Sequence, residues 1–159
     1  MALARNSDIF AAGADLNGVH DWTAARSQAH WLLDRDSYET SPDFKEALET
    51  AWRSSPLYYL NSWKSPVLLI HGDDDRNVRF SQTVDLASRL EKAAVPFEEL
   101  IFPDETHAFM RWVTWLRANT GVSAFFDKTL KISVVDNWFE KHREVMADFI
   151  QEAKKRAGR

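Results

Sequence analysis

Polar side chains capable of acid–base chemistry follow two apolar segments of the sequence. Residues 66–70 are a continuous apolar run that leads into an acidic loop containing Asp75. His107 follows a second apolar segment, residues 97–102, after a short polar loop. Polar residues just past the carboxyl ends of parallel strands form the functional site of open α/β sheets. An aspartate followed along the chain by a histidine supplies the acid and base of a hydrolytic triad in its α/β-hydrolase order.

The elements that must position these two residues alternate between strand and helix. The apolar run 66–70 is typical of a parallel strand covered on both faces. From Ser81 the pattern indicates an amphipathic helix, and residues 97–102 are predicted to form the next strand. Strand, helix and strand in this order indicate an α/β layer with right-handed crossovers. Because Asp75 and His107 are separated by 32 positions, one helix and one strand fit between them.

Other segments predict further elements around this layer. Residues 9–19 are predicted to form a short buried strand that runs into a turn at Asn17-Gly18. Residues 43–55 carry apolar side chains at helical spacing, and another helix follows His107. In the helix from Ser81 the apolar positions include Val84, Leu86 and Leu90, and in the helix after His107 the side chains of Trp112 and Trp115 are assigned to the core.

Composition and charge restrict the class of protein. The chain has 159 residues, of which 45% are hydrophobic, so a single domain with a real core is expected. Its net charge of −4 disfavours nucleic acid as a partner. The absence of cysteine excludes disulfides, thiolate metal sites and a cysteine nucleophile. No apolar run approaches the roughly 18 residues of a membrane span. The N-terminal residues lack the apolar stretch of a signal peptide, so we expect a soluble chain without a membrane partner. The sequence does not indicate the cellular compartment.

The segments around the two candidate residues resemble a known family. Residues 65–109 are similar to the C-terminal part of the prolyl oligopeptidase family, whose members are serine peptidases with an α/β-hydrolase domain. The acylaminoacyl-peptidase and dipeptidyl-peptidase branches look most similar. The family's His-Gly-x-x-Asp-x-Asn-Val stretch matches residues 71–78, and its Asp/Glu-x-x-His loop matches residues 104–107. The resemblance implies that Asp75 is the triad acid, with Asp74 as the next candidate, and that His107 is the general base.

The same resemblance implies the fold and its division. It covers residues 1–130, as the C-terminal part of an α/β-hydrolase domain, and leaves residues 131–159 as an additional amphipathic helix. The expected fold class is α/β, a partial α/β-hydrolase with about three parallel strands flanked by helices. The strands are placed near residues 10–18, 66–71 and 97–102. The additional helix either packs on the sheet or meets another chain.

The nucleophile of the family is missing from the sequence. A nucleophile elbow, Gly-x-Ser-x-Gly, needs two glycines four positions apart, and the five glycines lie at positions 13, 18, 72, 121 and 158. By resemblance the serine would lie a few residues before Met1. We therefore expect a serine-peptidase fragment that is inactive alone, whose parent family takes peptide substrates without a cofactor. The alternatives are a non-enzymatic binding or homo-oligomerising module, and one half of a hydrolase completed by a separate chain.

Three other features have weaker assignments. His20 and Asp21 follow the first strand at the same edge of the sheet and either line a substrate pocket or make loop hydrogen bonds. His71 is expected to pack at the end of its strand, as the family's equivalent does. The acidic loop also imitates the start of a calcium loop, but Val78 and Val84 stand where that motif requires glycine and glutamate. No metal is therefore expected.

Overall fold

The chain contains alternating strands and helices in a computed structural model, which describes residues 1–28 and 43–130 together with residues 151 and 155. Nearly all of the predicted amphipathic helix at 131–159 lies outside the described residues. The elements, in chain order, are α1 (Ala2–Arg5), β1 (Gly13–Leu16), α2 (Trp22–Gln28), α3 (Phe44–Arg53), a 3₁₀ segment (Pro56–Ser62), β2 (Val67–Gly72), α4 (Ser81–Lys92), β3 (Phe97–Phe102) and α5 (Trp112–Leu130).

The three strands form one parallel sheet in the order β1-β2-β3, which confirms the predicted α/β architecture. In the register of this sheet, Val67 of β2 is opposite Gly13 of β1 and Phe97 of β3. Every residue of β2 is buried. A strand covered on both faces favours apolar side chains, which explains the hydrophobic run at residues 67–70.

Two hydrophobic clusters cover the two faces of the sheet. Successive side chains of a strand point to opposite faces, so Val67 and Leu69 belong to one cluster whereas Leu68 and Ile70 belong to the other. The first cluster also contains Ala4, Leu57, Trp63, Leu86, Ala87, Leu90 and Val95. The second also contains Phe102, Phe109, Ala118 and Phe125. The sheet is thereby sandwiched, and the ends of its strands remain available for polar residues.

The structure corrects three of the burial predictions. β1 is four residues long and only partly buried, with Leu16 43% exposed, because it pairs with β2 alone in the described sheet. Val84 is 52% exposed because it lies on the side of α4 away from Leu86. Trp112 is 79% exposed, since Thr114 and Ala118 define the buried side of α5. Among the described helices, none combines the length and apolarity needed to cross a membrane.

Candidate active site

Asp75 lies in the loop that follows the central strand, and its side chain is fully buried. One carboxylate oxygen, Oδ1, accepts hydrogen bonds from the backbone N–H groups of Asn77 and Val78, both at 2.9 Å. Aspartate commonly closes a turn by binding the backbone two residues on. Because two donors hold Oδ1, the carboxylate has a fixed orientation and presents Oδ2 away from its own loop.

The loop that carries His107, residues 103–111 and here called the histidine loop, lies directly against the end of β2. The N–H of Asp74 donates to the backbone oxygen of Glu105 at 3.1 Å. A Cβ atom on Gly72 would lie 2.3 Å from that same oxygen, which is closer than any real contact. Glycine is therefore required at position 72, because the two backbones approach each other more closely than a side chain permits.

Asn17 connects the end of β1 to both of these segments. Its Nδ2 donates to the backbone oxygen of His107 at 2.6 Å, and its Oδ1 accepts from the N–H of Gly72 at 3.3 Å. Asn17 is buried and has a φ of 51°, a left-handed conformation that asparagine tolerates better than most residues. The sequence predicted a turn at Asn17 but not its contact with the histidine loop.

Glu105 fixes the other side of the histidine loop. Its buried carboxylate accepts hydrogen bonds from the Thr114 hydroxyl and the Met110 N–H, both at 2.6 Å, and pairs with Arg111 at 2.8 Å. The Thr114 hydrogen bond is the largest influence lowering the pKa of Glu105. The Met110 N–H and Arg111 add to that effect, and burial opposes it. These contacts join the loop to the first turn of α5, a role that the sequence did not indicate beyond an acidic residue near His107.

The structure brings the two predicted site residues together. His107 Nδ1 lies 2.8 Å from Asp75 Oδ2, within the hydrogen-bond range expected of such a pair, and the His107 side chain is 41% exposed. An ionised carboxylate only accepts hydrogen bonds, so Nδ1 carries the hydrogen and Nε2 of a neutral ring holds a lone pair. Within residues 1–28 and 43–130, no group hydrogen-bonds to that Nε2. The arrangement can accept a proton at Nε2 while Asp75 stabilises the resulting charge.

A second histidine lies on the buried side of Asp75. His71 is 0% exposed, and its Nε2 lies 3.0 Å from the Val78 backbone oxygen and 3.2 Å from Asp75 Oδ2. Its Nδ1 lies 2.7 Å from the Thr83 hydroxyl of α4. Both neighbours of Nε2 are acceptors, so the hydrogen resides on that nitrogen. His71 is packed at the strand end, as expected, and also contacts the candidate acid.

His20 and Asp21 make loop hydrogen bonds elsewhere. The buried His20 ring lies between the Gln82 backbone oxygen, 3.0 Å from Nδ1, and Asp15 Oδ2, 2.9 Å from Nε2. Asp21 Oδ1 accepts from the N–H groups of Thr23 and Ala24 at the start of α2. His20 also lines a cavity of about 250 Å³, whose lining includes neither candidate triad residue. In the described parts of the chain, no group of three or more potential ligands is arranged to hold a metal ion.

The chain is similar in sequence to one family of known proteins. The sequence profile of the prolyl oligopeptidase family matches residues 1–133. The chain is 32% identical over 104 residues to the acylamino-acid-releasing enzyme of Mus musculus, covering 57% of this chain and 14% of that protein. It is 30% identical over 83 residues to dipeptidyl-peptidase 5 of Porphyromonas gingivalis, covering 52% of this chain and 12% of the relative.

The fold is also shared with a solved structure, that of a puromycin-hydrolyzing peptidase from Mycobacterium tuberculosis. The TM-score is 0.68 at 27% identity, and the match covers 81% of this chain and 20% of that one. The chain thus spans a small part of the length of each relative. Since the family profile extends over residues 1–133 of 159, the chain belongs to the prolyl oligopeptidase family.

Proposed function

We propose that this chain supplies the acid and the base of a serine-peptidase triad, with His107 as the general base and Asp75 as the residue that orients it. The observation that carries the proposal is the 2.8 Å contact between His107 Nδ1 and Asp75 Oδ2, with the carboxylate buried and the imidazole 41% exposed. A buried acid holds the ring in one tautomer, and an accessible Nε2 is available to a serine hydroxyl.

The proposed chemistry follows from these positions. As a serine oxygen forms its bond to the peptide carbonyl carbon, Nε2 of His107 takes the hydroxyl proton. The protonated ring then gives that proton to the amine nitrogen as the carbon–nitrogen bond breaks. A water molecule then attacks the acyl carbon while Nε2 takes its proton. The ring returns that proton to the serine oxygen as the bond between the serine and the acyl group breaks. Throughout, Asp75 remains ionised, keeps the ring hydrogen on Nδ1 and stabilises the charged imidazolium.

The 159 residues contain no Gly-x-Ser-x-Gly elbow, because no two of their glycines are four positions apart. The proposed serine nucleophile is therefore not an elbow serine of this sequence. We expect no acyl-enzyme from the 159-residue chain alone. A fluorophosphonate probe followed by mass spectrometry tests this directly. Stoichiometric labelling of any serine, abolished by His107→Ala, would show that the chain contains its own nucleophile.

The decisive test of the activity uses the DNA that precedes the Met1 codon. An in-frame Gly-x-Ser-x-Gly there gives a longer chain to assay on peptide substrates, which are the proposed substrate class. Asp75→Asn in that chain is expected to lower kcat by about 10⁴-fold, the effect of placing the imidazole in the wrong tautomer. A variant that keeps activity within tenfold of the parent would refute the assigned role. Without such an elbow, a serine supplied by a separate chain is the remaining enzymatic arrangement.

A non-enzymatic module that associates with itself is the second candidate. The observation that favours it is the exposure of three apolar side chains at and before β1, with Ile9 69%, Phe10 44% and Leu16 43% exposed. Exposed apolar surface of this kind marks interaction sites on soluble proteins. Peptide hydrolysis by the longer chain, lost on His107→Ala, separates the two candidates.

A further inference from the structure

We propose that His71 is a positioning residue for the triad acid, in addition to filling space at the end of β2. The proposal rests on the catalytic role proposed above for Asp75 and His107. The hydrogen bonds of His71 go to Val78 and Thr83 rather than to His107, so we expect it to act through Asp75 and the loop that holds this residue. The contacts that carry the proposal are made by one ring nitrogen, Nε2.

The first contact fixes the loop. His71 Nε2 donates to the backbone oxygen of Val78 at 3.0 Å, and the backbone N–H of Val78 donates to Asp75 Oδ1 at 2.9 Å. The imidazole thus holds the Val78 carbonyl. The N–H of Val78, in the preceding peptide unit, is one of the two donors that orient the Asp75 carboxylate. Since His71 is 0% exposed and is held by Thr83 Oγ1 at 2.7 Å, the ring itself has little freedom to move.

The second contact concerns the atom that orients His107. Asp75 Oδ2 accepts the hydrogen bond of His107 Nδ1 at 2.8 Å, and His71 Nε2 lies 3.2 Å from the same oxygen. The His71 N–H donates to the Val78 oxygen, and the closeness of Nε2 to Oδ2 places the positive end of that N–H dipole beside the buried carboxylate. A buried charge needs such partners, because few water molecules reach it.

Two substitutions separate this role from packing. The amide nitrogen of glutamine reaches about as far as Nε2 of histidine, whereas that of asparagine reaches only as far as Nδ1. His71→Gln therefore keeps a donor to Val78, and His71→Asn removes it while leaving a polar group near Thr83. Both variants replace the imidazole ring with an acyclic amide, so a loss caused by packing alone would appear in both.

The readout is the exchange with water of the His107 Nδ1 hydrogen, followed by NMR in the full chain labelled with ¹⁵N-histidine. His71→Asn is expected to accelerate this exchange about tenfold, because a freed carboxylate holds the hydrogen less firmly. His71→Gln is expected to stay within twofold of the unmodified chain. Equal exchange in all three proteins, equal acceleration in both variants, or acceleration by glutamine alone would overturn the proposal.

A second measurement does not depend on the variants folding. The ¹⁵N shifts of His71 in the unmodified chain at pH 7 are expected to show the hydrogen on Nε2, with a coupling across the hydrogen bond to the Val78 carbonyl. A hydrogen on Nδ1 alone would overturn the proposal. Neither measurement requires peptidase activity, so failure of this inference and failure of the proposed function give different results.

Discussion

At the scale of single residues, Asn17 shows how a side chain outside the candidate pair joins the segments that hold the pair. Its amide joins the His107 backbone oxygen to the Gly72 N–H, and its φ of 51° places it where few side chains are stable. We expect Asn17→Ala to lower the free energy of unfolding by about 2–3 kcal/mol, from the lost hydrogen bonds and the left-handed backbone. Urea denaturation measures this loss.

The matched control for Asn17 is a glycine substitution. Asn17→Gly removes the same hydrogen bonds but adopts the left-handed conformation without strain. It is therefore expected to be more stable than Asn17→Ala by about 1 kcal/mol. If the alanine variant is as stable as the glycine variant, the backbone conformation contributes nothing and this account of Asn17 is wrong.

The sequence predicts residues at this scale only where motif and position coincide. Asp75 and His107 were predicted as a pair because each follows an apolar segment and matches a family motif, and the structure brings them into contact. Asn17 and Glu105 were missed because their importance arises from contacts across 90 and 9 positions of sequence, respectively, which no local pattern encodes. His71 was assigned to packing, since the sequence alone gives no sign that its ring faces Asp75.

At the scale of elements, the close approach of β2 and the histidine loop determines whether the site forms. Gly72→Ala would place a Cβ 2.3 Å from the Glu105 backbone oxygen, and backbone cannot rotate away as a side chain does. We expect a destabilisation of about 1–3 kcal/mol, as for other overpacked positions. The same substitution is expected to weaken the His107 contact with Asp75, visible as faster exchange of the His107 Nδ1 hydrogen.

Gly121→Ala in α5 is the control for this prediction. Its Cβ would meet only the Leu100 Cδ2 atom at 2.8 Å, and that side chain can adjust. Alanine also favours a helix over glycine by about 1 kcal/mol, which offsets the adjustment. A Gly72→Ala variant as stable as Gly121→Ala would show that the loop is not held against the strand in solution.

The attachment of the histidine loop to α5 predicts a dependence of stability on pH. The folded chain lowers the pKa of Glu105 below its ordinary value of 4.5, chiefly through the Thr114 hydrogen bond. As the pH falls, the unfolded chain therefore binds the proton first, and the folded state loses stability below pH 4.5. Glu105→Gln is expected to be less stable at neutral pH and to show a smaller loss in acid.

Urea denaturation at several pH values measures this effect, with Glu99→Gln as the control. Glu99 is an exposed carboxylate of β3, so its replacement is expected to leave the pH dependence close to that of the unmodified chain. An unchanged acid dependence in Glu105→Gln would mean that the carboxylate contributes no stability through its contacts.

The elements themselves were predictable to different degrees. The bounds of β2 and β3 were predicted closely. β2 has the apolar sequence of an interior strand, and β3 is bounded by Pro96 and Pro103. β1 was predicted too long and too buried, because its apolar residues Ile9 and Phe10 precede the strand and are exposed. A hydrophobic segment is buried only where another part of the protein packs over it, and the local sequence does not show where that happens.

At the scale of the whole molecule, the outer edge of β1, which has no paired strand among the described residues, predicts self-association. Gly13 and Asn17 direct their N–H groups to β2, so those of Ala14 and Leu16 point to the other side. An unpaired edge with exposed apolar side chains is a template for pairing with another chain. A two-fold dimer would cover both copies of this edge at once.

Light scattering after size exclusion measures this association. We expect twice the chain mass of 18.3 kDa at high concentration. A charge on the edge should disfavour pairing, so Leu16→Lys is expected to shift the chain toward monomer. Val84→Lys is the control, because it changes an aliphatic side chain of similar exposure on α4. A mass of 18.3 kDa at every concentration would contradict the dimer.

The central claim is that Asp75 holds His107 with Nε2 unprotonated and accessible. Asp75→Asn tests it, because the N–H groups of Asn77 and Val78 require an oxygen at the Oδ1 position. The amide nitrogen must then face His107 Nδ1, which moves the ring hydrogen to Nε2. Asp74→Asn changes a neighbouring exposed carboxylate and is the control.

Diethyl pyrocarbonate reacts with unprotonated imidazole nitrogen, so the rate of His107 modification at pH 8, measured by peptide mass spectrometry, reports the state of Nε2. The account predicts a rate at least about tenfold lower in Asp75→Asn, consistent with the wrong tautomer, and no change in Asp74→Asn. An equal or faster rate in Asp75→Asn would contradict it.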